Sequence, residues 1–354
     1  MSALLDIPLT VVRPAVAVAL LGTGVVGGAF LDRWSRLSGL GLLGELRLVH
    51  VANSRHEVGH AAGLDPGGVR DELPAGRAPM LGEVGVGLPE GSVVVDATAS
   101  DDVARWHPLW LEAGLRVVTA NKAGVGGDLA RYRAIDAHRA HYGDSATVGA
   151  GLPLLRSLRS LRAGGDRVHA IAGVLSGSLA WLLDAYDGST PFSELVRQAR
   201  RRGLTEPDPR QDLSGADVLR KLLILARAAG RDITTADVVV TPLAPAALAT
   251  APLAGLDAAL SALDEPLRRA LAAAAADGRR LRFVARLDAD GGARVGLEAL
   301  APDDPLAGGG GCDNRVSVWS DRYADSPLVI QGPGAGAEVT AAALIDDILR
   351  VGGG

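Results

Sequence analysis

The chain has 354 residues, of which 48% are hydrophobic, and it carries 36 Lys and Arg against 41 Asp and Glu. The length suggests about two domains, and a formal charge of −5 argues against a nucleic-acid partner and an anionic membrane surface. One cysteine, Cys312, excludes an intrachain disulfide framework and a cysteine-rich metal site. No signal peptide is evident, and glycines interrupt the longest apolar stretch at 14–31, so we expect a cytoplasmic protein without a membrane segment.

Up to residue 144, short apolar runs alternate with helical patterns. Repeated strand–helix–strand order is typical of a parallel sheet with helices on both faces. The predicted strands lie at 15–21, 46–52, 92–97 and 115–119, and the predicted helices between them at 24–38 and 102–113.

The remaining chain mixes helical and strand patterns. Helices are predicted at 152–161, 192–202, 216–229 and 338–350, strands at 169–175, 281–288, 293–299 and 316–319, and loops with short helices at 241–276. We therefore expect an α/β fold in which residues 1–144 with 331–354 form one domain and residues 145–330 form a second, mixed α/β domain.

A glycine motif follows the first predicted strand and opens the first predicted helix. Gly22, Gly24 and Gly27 form G-x-G-x-x-G, where the first permits a tight turn, the second lets backbone approach a pyrophosphate, and the third allows close packing. This context favours a Rossmann-type dinucleotide-binding domain over an ordinary tight turn. The predicted cofactor-binding residues here are Gly22, Thr23, Gly24, Val25, Val26 and Gly27.

The end of the second predicted strand indicates which dinucleotide binds. It carries Ser54 and Arg55 and lacks the acid that would bind the ribose 2′-hydroxyl of NAD. Arg55 suits a 2′-phosphate, so we expect NADP to be preferred over NAD; a solvated surface arginine is the alternative. The adjacent His56 and His60 match H-E-x-x-H, but Gly59 weakens a helix and the segment is expected in a loop, so we expect no zinc there.

Residues 203–221 concentrate seven charged groups before and inside a predicted apolar helix. Asp217 and Lys221 are four residues apart and share one face, and buried charges need partners or a ligand. A capping box from Ser214 to Asp217 and a plain helix salt bridge are the alternatives. Capping does not explain the acids just upstream. Acids beside a buried lysine suit a cavity that binds an amino group and holds a proton-transfer lysine.

The stretch 203–227, which contains these charged groups, and six further segments resemble homoserine dehydrogenase over nearly the whole chain. The segments are GTGVVGGAFL at 22–31, VDATAS at 95–100, VVTANKAGV at 117–125, TVGAGLPLL at 147–155, GVLSGSLAWLL at 173–183 and GPGAGAEVTA at 332–341. The resemblance implies NADPH- or NADH-dependent interconversion of L-aspartate 4-semialdehyde and L-homoserine in threonine and methionine biosynthesis. It also implies a homodimer paired through a sheet of the second domain, with the strands at 281–299 and 316–319 as the candidates.

The resemblance further implies roles for individual residues. Lys221 would exchange the proton at the substrate oxygen with Asp217 beside it, and Lys122 would polarise the carbonyl between nicotinamide and substrate. Glu206 and Asp212 would bind the amino end of the substrate. The other implied residues are Gly177 and Ser178 at the substrate, and Thr98, Ser100, Lys122, Gly334, Ala335 and Gly336 at the cofactor.

Two departures from the family pattern are informative. Ser145 stands where many members have a Glu that helps bind a monovalent cation, which leaves the carbonyls of Val148, Ala150 and Leu152 as a candidate sodium or potassium site. The chain ends soon after the segment at 332–341, so we expect a monofunctional short form without a regulatory ACT domain. A retuned scaffold for another small amino-aldehyde or hydroxy-amino acid, and a non-catalytic dinucleotide-binding protein, are the alternatives. The acids and both lysines argue against them.

Overall fold

Two six-stranded sheets organise the chain, of which this computed structural model describes residues 15–80, 84 and 87–352. The described strands are β1 (Val16–Leu21), β2 (Leu46–Ala52), β3 (Glu57–Gly59), β4 (Val93–Asp96), β5 (Arg116–Thr119), β6 (Tyr142–Gly143), β7 (Val168–Val174), β8 (Val238–Val240), β9 (Arg280–Leu287), β10 (Ala293–Leu300), β11 (Asp313–Ser320) and β12 (Leu328–Pro333).

Helices connect and cover these strands. The described α-helices are α1 (Val25–Gly39), α2 (Val69–Glu72), α3 (Asp101–Ala104), α4 (His107–Glu112), α5 (Ala123–Gly126), α6 (Leu129–Asp136), α7 (Leu154–Ala163), α8 (Gly177–Ala185), α9 (Phe192–Arg201), α10 (Arg210–Leu213), α11 (Ala216–Ala228), α12 (Ala246–Ala249), α13 (Leu256–Ala259), α14 (Asp264–Ala276) and α15 (Ala337–Gly352). Within the described ranges, no helix is both long and apolar enough to cross a bilayer.

The first sheet has the order β3-β2-β1-β4-β5-β6, and its strands from β2 to β6 run parallel. The middle strands are apolar and buried on both faces, as parallel strands require. The carboxyl ends of β1, β4 and β5 meet at one edge, where doubly wound sheets bind ligands. The predicted Rossmann-type domain is confirmed, and α15 returns from the end of the chain to pack against α1 and β5.

The second sheet has the order β12-β11-β7-β9-β10-β8 and is mostly antiparallel. Helices α8 and α11 pack against its central strand β9, and α11 also packs against α7. Nine of the thirteen residues of α11 are buried, because apolar side chains occur on all sides of the helix. The predicted mixed α/β second domain is confirmed, and α11 lies between the two sheets.

Four local expectations were wrong or incomplete. The helix predicted at 102–113 is split into α3 and α4, since Pro108 begins a new helix and cannot continue the old one. The loop expected around 56–60 contains β3, which extends the sheet beside β2. The edge strand β12 was missed because it is short and its one glycine, Gly332, weakens the alternating pattern. The region 241–276 ends in a thirteen-residue helix, α14, which its alanines favour.

A buried carboxylate anchors the junction of the two halves. Asp144 is fully buried after β6, and it accepts two hydrogen bonds of 2.7 Å from Arg159 of α7 and one of 3.1 Å from Arg139. Burial alone would raise the pKa of Asp144, but the two guanidinium groups outweigh it and lower the pKa to about 2. The carboxylate therefore stays ionised under ordinary conditions.

We expect Asp144→Asn to lower the free energy of unfolding by about 3–5 kcal/mol, because it breaks a buried ion pair and leaves charged partners behind. The matched control Asp232→Asn removes the exposed partner of Arg133 and should cost less than about 1 kcal/mol. Urea unfolding measures both. The Asp144 contribution is complete above the ordinary carboxyl pKa and is lost as pH falls through about 2, so the variant should lack this acid-dependent loss. Equal costs for the two variants would contradict the anchoring role.

Candidate active site

A cleft of about 740 Å³ lies at the carboxyl edge of the first sheet, against α11. Its volume is in the range of small-molecule and cofactor sites. It brings together parts of the chain that are far apart in sequence. The predicted site residues that line it are Val25, Val26, Lys122, Ala150, Glu206, Asp212, Asp217, Lys221, Gly334, Ala335 and Gly336.

The glycine loop at one end of the cleft has the geometry that a pyrophosphate requires. Gly22 adopts φ +95°, and a Cβ at Gly27 would overlap the Gly22 carbonyl, so neither position accepts a side chain. Gly24 is exposed, and a Cβ there would meet nothing within 4 Å. It precedes α1 without a side-chain cap, which leaves the first N–H groups of the helix open to an anion. These residues fit a dinucleotide.

The turn after β2 lies beside this loop. Asn53 Oδ1 accepts the backbone N–H groups of Arg55 and His56, both at 2.8 Å, and its Nδ2 lies 3.5 Å from Thr23 Oγ1. Ser54 and Arg55 are exposed, and the Arg55 side chain makes no hydrogen bond or ion pair with any described residue. The turn therefore presents a free guanidinium group to solvent.

The H-E-x-x-H segment is not a zinc helix. Its central residues form β3, and Glu57 is buried between Arg77 at 2.6 Å and His50 at 3.6 Å. On a strand, His56 and His60 do not stand one helical turn apart. Among residues 15–80, 84 and 87–352, no three His, Cys, Asp or Glu side chains are grouped to hold a metal ion.

A buried polar network positions Lys122 after β5. Asn121 Nδ2 donates to Asp96 Oδ2 at 2.9 Å and to the Ser100 carbonyl at 2.7 Å, while its Oδ1 accepts the Ala123 N–H at 3.0 Å. His107 Nε2 lies 3.0 Å from the same Asp96 carboxylate. The network joins the ends of β4 and β5 and was not predicted. It also holds Thr98, whose N–H donates to Asp96 at 2.8 Å.

One carboxylate lies between two lysines on the wall of the cleft. Asp217 Oδ2 is 2.8 Å from Lys221 Nζ, and Asp217 Oδ1 is 3.4 Å from Lys122 Nζ. Lys221 Nζ also donates to the Leu175 carbonyl at 2.7 Å. The structure thus brings the three predicted catalytic residues together.

Burial and neighbouring charges set the protonation of this group. Burial lowers the pKa of Lys221, Asp217 acts against the shift, and Lys122 adds to it. Burial alone would raise the pKa of Asp217, but the two lysines outweigh it and lower that pKa. The result is an ionised carboxylate beside an ammonium group that loses its proton more readily than a free lysine.

The alternative of a capping box is wrong. The N-cap of α11 is Gly215 with φ +75°, and the Ser214 hydroxyl donates to the Gln211 carbonyl at 2.7 Å in the preceding turn. The Asp217 carboxylate pairs with the lysines instead of capping the helix. Asp217, four residues before Lys221, therefore lines the cleft together with that lysine.

Two of the acids upstream of α11 lie on the floor of the same cleft, whereas Asp208 pairs with Arg210. Asp212 Oδ1 accepts the Ser178 hydroxyl at 2.7 Å, and Asp212 Oδ2 accepts the Glu206 N–H at 2.9 Å. The Glu206 side chain is exposed and lines the cleft. Gly177 lies close behind, where a Cβ would come within 3.0 Å of the Cys312 carbonyl. Each Asp212 oxygen retains a second lone pair for a ligand.

The candidate cation segment has Ser145 at the position of the family carboxylate. Ser145 donates its N–H and hydroxyl to Asp347 of α15 at 2.8 and 3.0 Å, which turns both groups away from a cation. Ala150 has φ +51°, and the Leu152 carbonyl already accepts the Leu154 N–H at 2.8 Å. The carbonyls of Val148, Ala150 and Leu152 stay a candidate site only.

The composition of the chain also distinguishes the two lysines of this cleft. Of the 36 Lys and Arg residues, only Lys122 and Lys221 are lysines. Both lie on the Asp217 carboxylate. Missed residues that also line the cleft are Thr147, Ser176, Gln211, Arg220 and Thr340.

Comparison with known proteins covers both halves of the chain. The model described as homoserine dehydrogenase matches residues 153–349, and the model described as its NAD-binding domain matches residues 22–145. A homoserine dehydrogenase of Emericella nidulans is 36% identical over 369 residues, covering 94% of this chain and 97% of that protein. A crystal structure of a Candida auris protein of unknown function has 32% identity and a TM-score of 0.89, covering 96% and 98% of the two chains.

Bifunctional relatives are much longer. The bifunctional aspartokinase/homoserine dehydrogenase 2 of Escherichia coli (strain K12) is 47% identical over 263 residues, which are 73% of this chain and 32% of that protein. The chain spans 32–39% of such bifunctional relatives. The two domain matches and the fungal relative of nearly equal coverage show that the chain belongs to the homoserine dehydrogenase family of NAD(P)-dependent oxidoreductases.

Proposed function

We propose that the chain interconverts L-aspartate 4-semialdehyde and L-homoserine with a nicotinamide dinucleotide, as a step of threonine and methionine biosynthesis. One observation carries the proposal. Asp217 holds Lys122 and Lys221 together in a cleft that begins at the G-x-G-x-x-G loop. Such a site combines a place for a dinucleotide with a group that can move a proton at an adjacent oxygen.

The glycine loop and the helix terminus behind it would hold the dinucleotide, with Thr98, Ser100 and residues 334–336 beside it. Gly334 to Gly336 line the same cleft as Val25 and Val26. When bound, the dinucleotide supplies hydride chemistry. The chain orients the reacting carbon and stabilises the charge that develops on the substrate oxygen.

Lys122 and Lys221 would act on that oxygen. An ammonium group near the carbonyl stabilises negative charge as the aldehyde is reduced, and Lys221 donates the proton that completes the alcohol. In the reverse direction neutral Lys221 accepts this proton, and its lowered pKa increases the fraction of Lys221 that is neutral at a given pH. Asp217 holds the two nitrogens on one side of the cleft and stabilises each charged form.

Glu206 and Asp212 would bind the substrate ammonium group. Two carboxylates on the cleft floor match a cation, and Ser178 orients Asp212 through its hydrogen bond. A substrate held by its amino end would extend toward Lys221, whose distance from Asp212 is short enough for the two charges to interact. Orientation of this kind accounts for much of the rate gain in enzymes.

The proposed test uses purified chain with L-homoserine and NADP⁺ or NAD⁺, followed by the absorbance of reduced nicotinamide. We expect turnover in the wild type and a fall in kcat of about 10²–10⁴ in Lys221→Arg, because arginine keeps the charge but does not release a proton. Dinucleotide affinity should stay unchanged. The control Arg269→Lys exchanges the same residue types on the exposed face of α14 and should behave as wild type.

Direct titration supports the kinetic assay. Since Lys122 and Lys221 are the only lysines, ζ-¹⁵N-lysine labelling should give two side-chain resonances. The resonance lost in Lys221→Arg should titrate below the ordinary lysine pKa, and the rate of homoserine oxidation should rise with pH through that value. Turnover of Lys221→Arg within tenfold of wild type, or an ordinary pKa for Lys221, would contradict the assigned role.

We infer that NADP is preferred through Arg55, whose free guanidinium group stands after β2. Arg55→Ala should weaken NADPH binding about tenfold or more, because a hydrogen bond to a charged group contributes about 1.5–3 kcal/mol. NADH binding should change little. Arg36→Ala, which removes an exposed arginine from the end of α1, is the matched control. Fluorescence titration measures both cofactors, and an equal loss for both would remove Arg55 from the specificity site.

We also infer that the chain forms a homodimer that pairs through the second sheet. We infer that it is a cytoplasmic protein, and that its two domains are residues 1–144 with 331–354 and residues 145–330. Val239, Trp319 and Val329 are partly or largely exposed on strands of this sheet. Light scattering should give a mass of twice 36.2 kDa. Val239→Lys should reduce that mass if this sheet forms the contact, whereas a monomeric wild type would exclude the dimer.

A further inference from the structure

A second, smaller pocket of about 320 Å³ is lined by four arginines. Arg139 follows α6, Arg156 and Arg159 belong to α7, and Arg350 belongs to α15. The pocket thus lies where a helix of the second half meets two elements of the first. Among the described residues, no carboxylate lines it. The lining residues are Arg139, Ala140, Tyr142, Ser145, Arg156, Arg159, Ser160, Ala163 and Arg350.

Buried acceptors hold three of the four guanidinium groups in place. Asp144 accepts from Arg139 at 3.1 Å and from both terminal nitrogens of Arg159 at 2.7 Å. The Tyr142 carbonyl accepts from Arg139 at 2.8 Å and from Arg350 at 3.0 Å. Because these contacts order the side chains before any ligand arrives, binding would cost less conformational entropy.

The positive charge in this pocket exceeds its local compensation. Asp144 and Asp347 are the buried carboxylates behind the four arginines, and Asp136 is exposed on α6 near Arg139. Arg156 is exposed and makes no hydrogen bond or ion pair with a described residue. Arginine stays protonated at ordinary pH, so the excess of positive charge persists and favours the binding of an anion.

We propose that this pocket binds a small phosphate-bearing anion. The free guanidinium fork of Arg156 matches two phosphate oxygens at once. The N–H groups that Arg139, Arg159 and Arg350 do not give to Asp144, Asp347 and the Tyr142 carbonyl add further donors. The Ser160 hydroxyl adds a neutral donor. The volume accepts a phosphate group with a small organic part, but not a nucleic acid.

The location distinguishes this site from the cofactor site. Ser145 lines the arginine pocket, while the next residues, Ala146 and Thr147, line the large cleft. The pyrophosphate of a dinucleotide would lie at the glycine loop instead, so the two anion sites do not share a residue. An anion here bridges α7 and α15 and stabilises the segment that forms one wall of the cleft. The inference does not depend on the reaction assigned above.

Calorimetry with pyrophosphate and inorganic phosphate, at constant ionic strength in sodium chloride, tests the proposal on the full chain. We expect saturable binding in the wild type, and a dissociation constant at least about tenfold larger in Arg156→Ala. Arg156 is exposed and unpaired, so the variant should fold and keep its activity. Arg200→Ala, which removes an exposed arginine from α9, should bind as the wild type does.

A second variant and a second anion complete the design. Arg350→Ala removes a guanidinium group from α15 and should also weaken binding, so the result does not rest on one helix. Succinate should bind more weakly than phosphate does. Unchanged affinity in Arg156→Ala would place the anion elsewhere, for example at the glycine loop, and would overturn the proposal. Tighter binding of succinate, or no saturable binding at all, would overturn it as well.

Discussion

The cleft depends on one carboxylate that is shared by two lysines. Lys122 follows β5 of the first sheet and Lys221 belongs to α11, and Asp217 lies within 3.4 Å of both nitrogens. Two ammonium groups this close would repel each other in a partly buried site, and one of them would lose its proton. Asp217 permits both to approach the same point. The rest of the structure holds these three side chains close together.

The junction between the two sheets positions the three side chains. The fully buried Arg227 of α11 donates to the Val125 carbonyl at 2.7 Å and to the Gly127 carbonyl at 2.9 Å, so it ties α11 to α5, directly after Lys122. A side chain at Gly126 would collide with α11, which explains why the backbone approaches so closely there. On the other side, Lys221 Nζ donates a hydrogen bond to the Leu175 carbonyl, directly after β7. Displacement of α11 would therefore separate the lysines.

Local patterns predicted what is local. Runs of apolar residues located β1, β2, β4 and β5, the glycine spacing located the start of α1, and the four-residue spacing placed Asp217 and Lys221 on one face. Contacts between distant segments have no such pattern. The pairing of Lys122 with Asp217, the Asn121 network and the arginine pocket arise from packing of elements that lie far apart in sequence. Strand β12 was missed because glycine weakens the alternation that marks an edge strand.

The two charged sites differ in their cations: arginines pair with Asp144, and lysines pair with Asp217. Arginine supplies 34 of the 36 cationic side chains, and it stays protonated in almost every protein environment. This property suits Asp144, whose partners must remain charged to offset its burial. It does not suit a group that must give up and regain a proton during a reaction. An ammonium group loses its proton at accessible cost when it is desolvated, so lysine at position 221 suits the proton transfer that the proposed reaction requires.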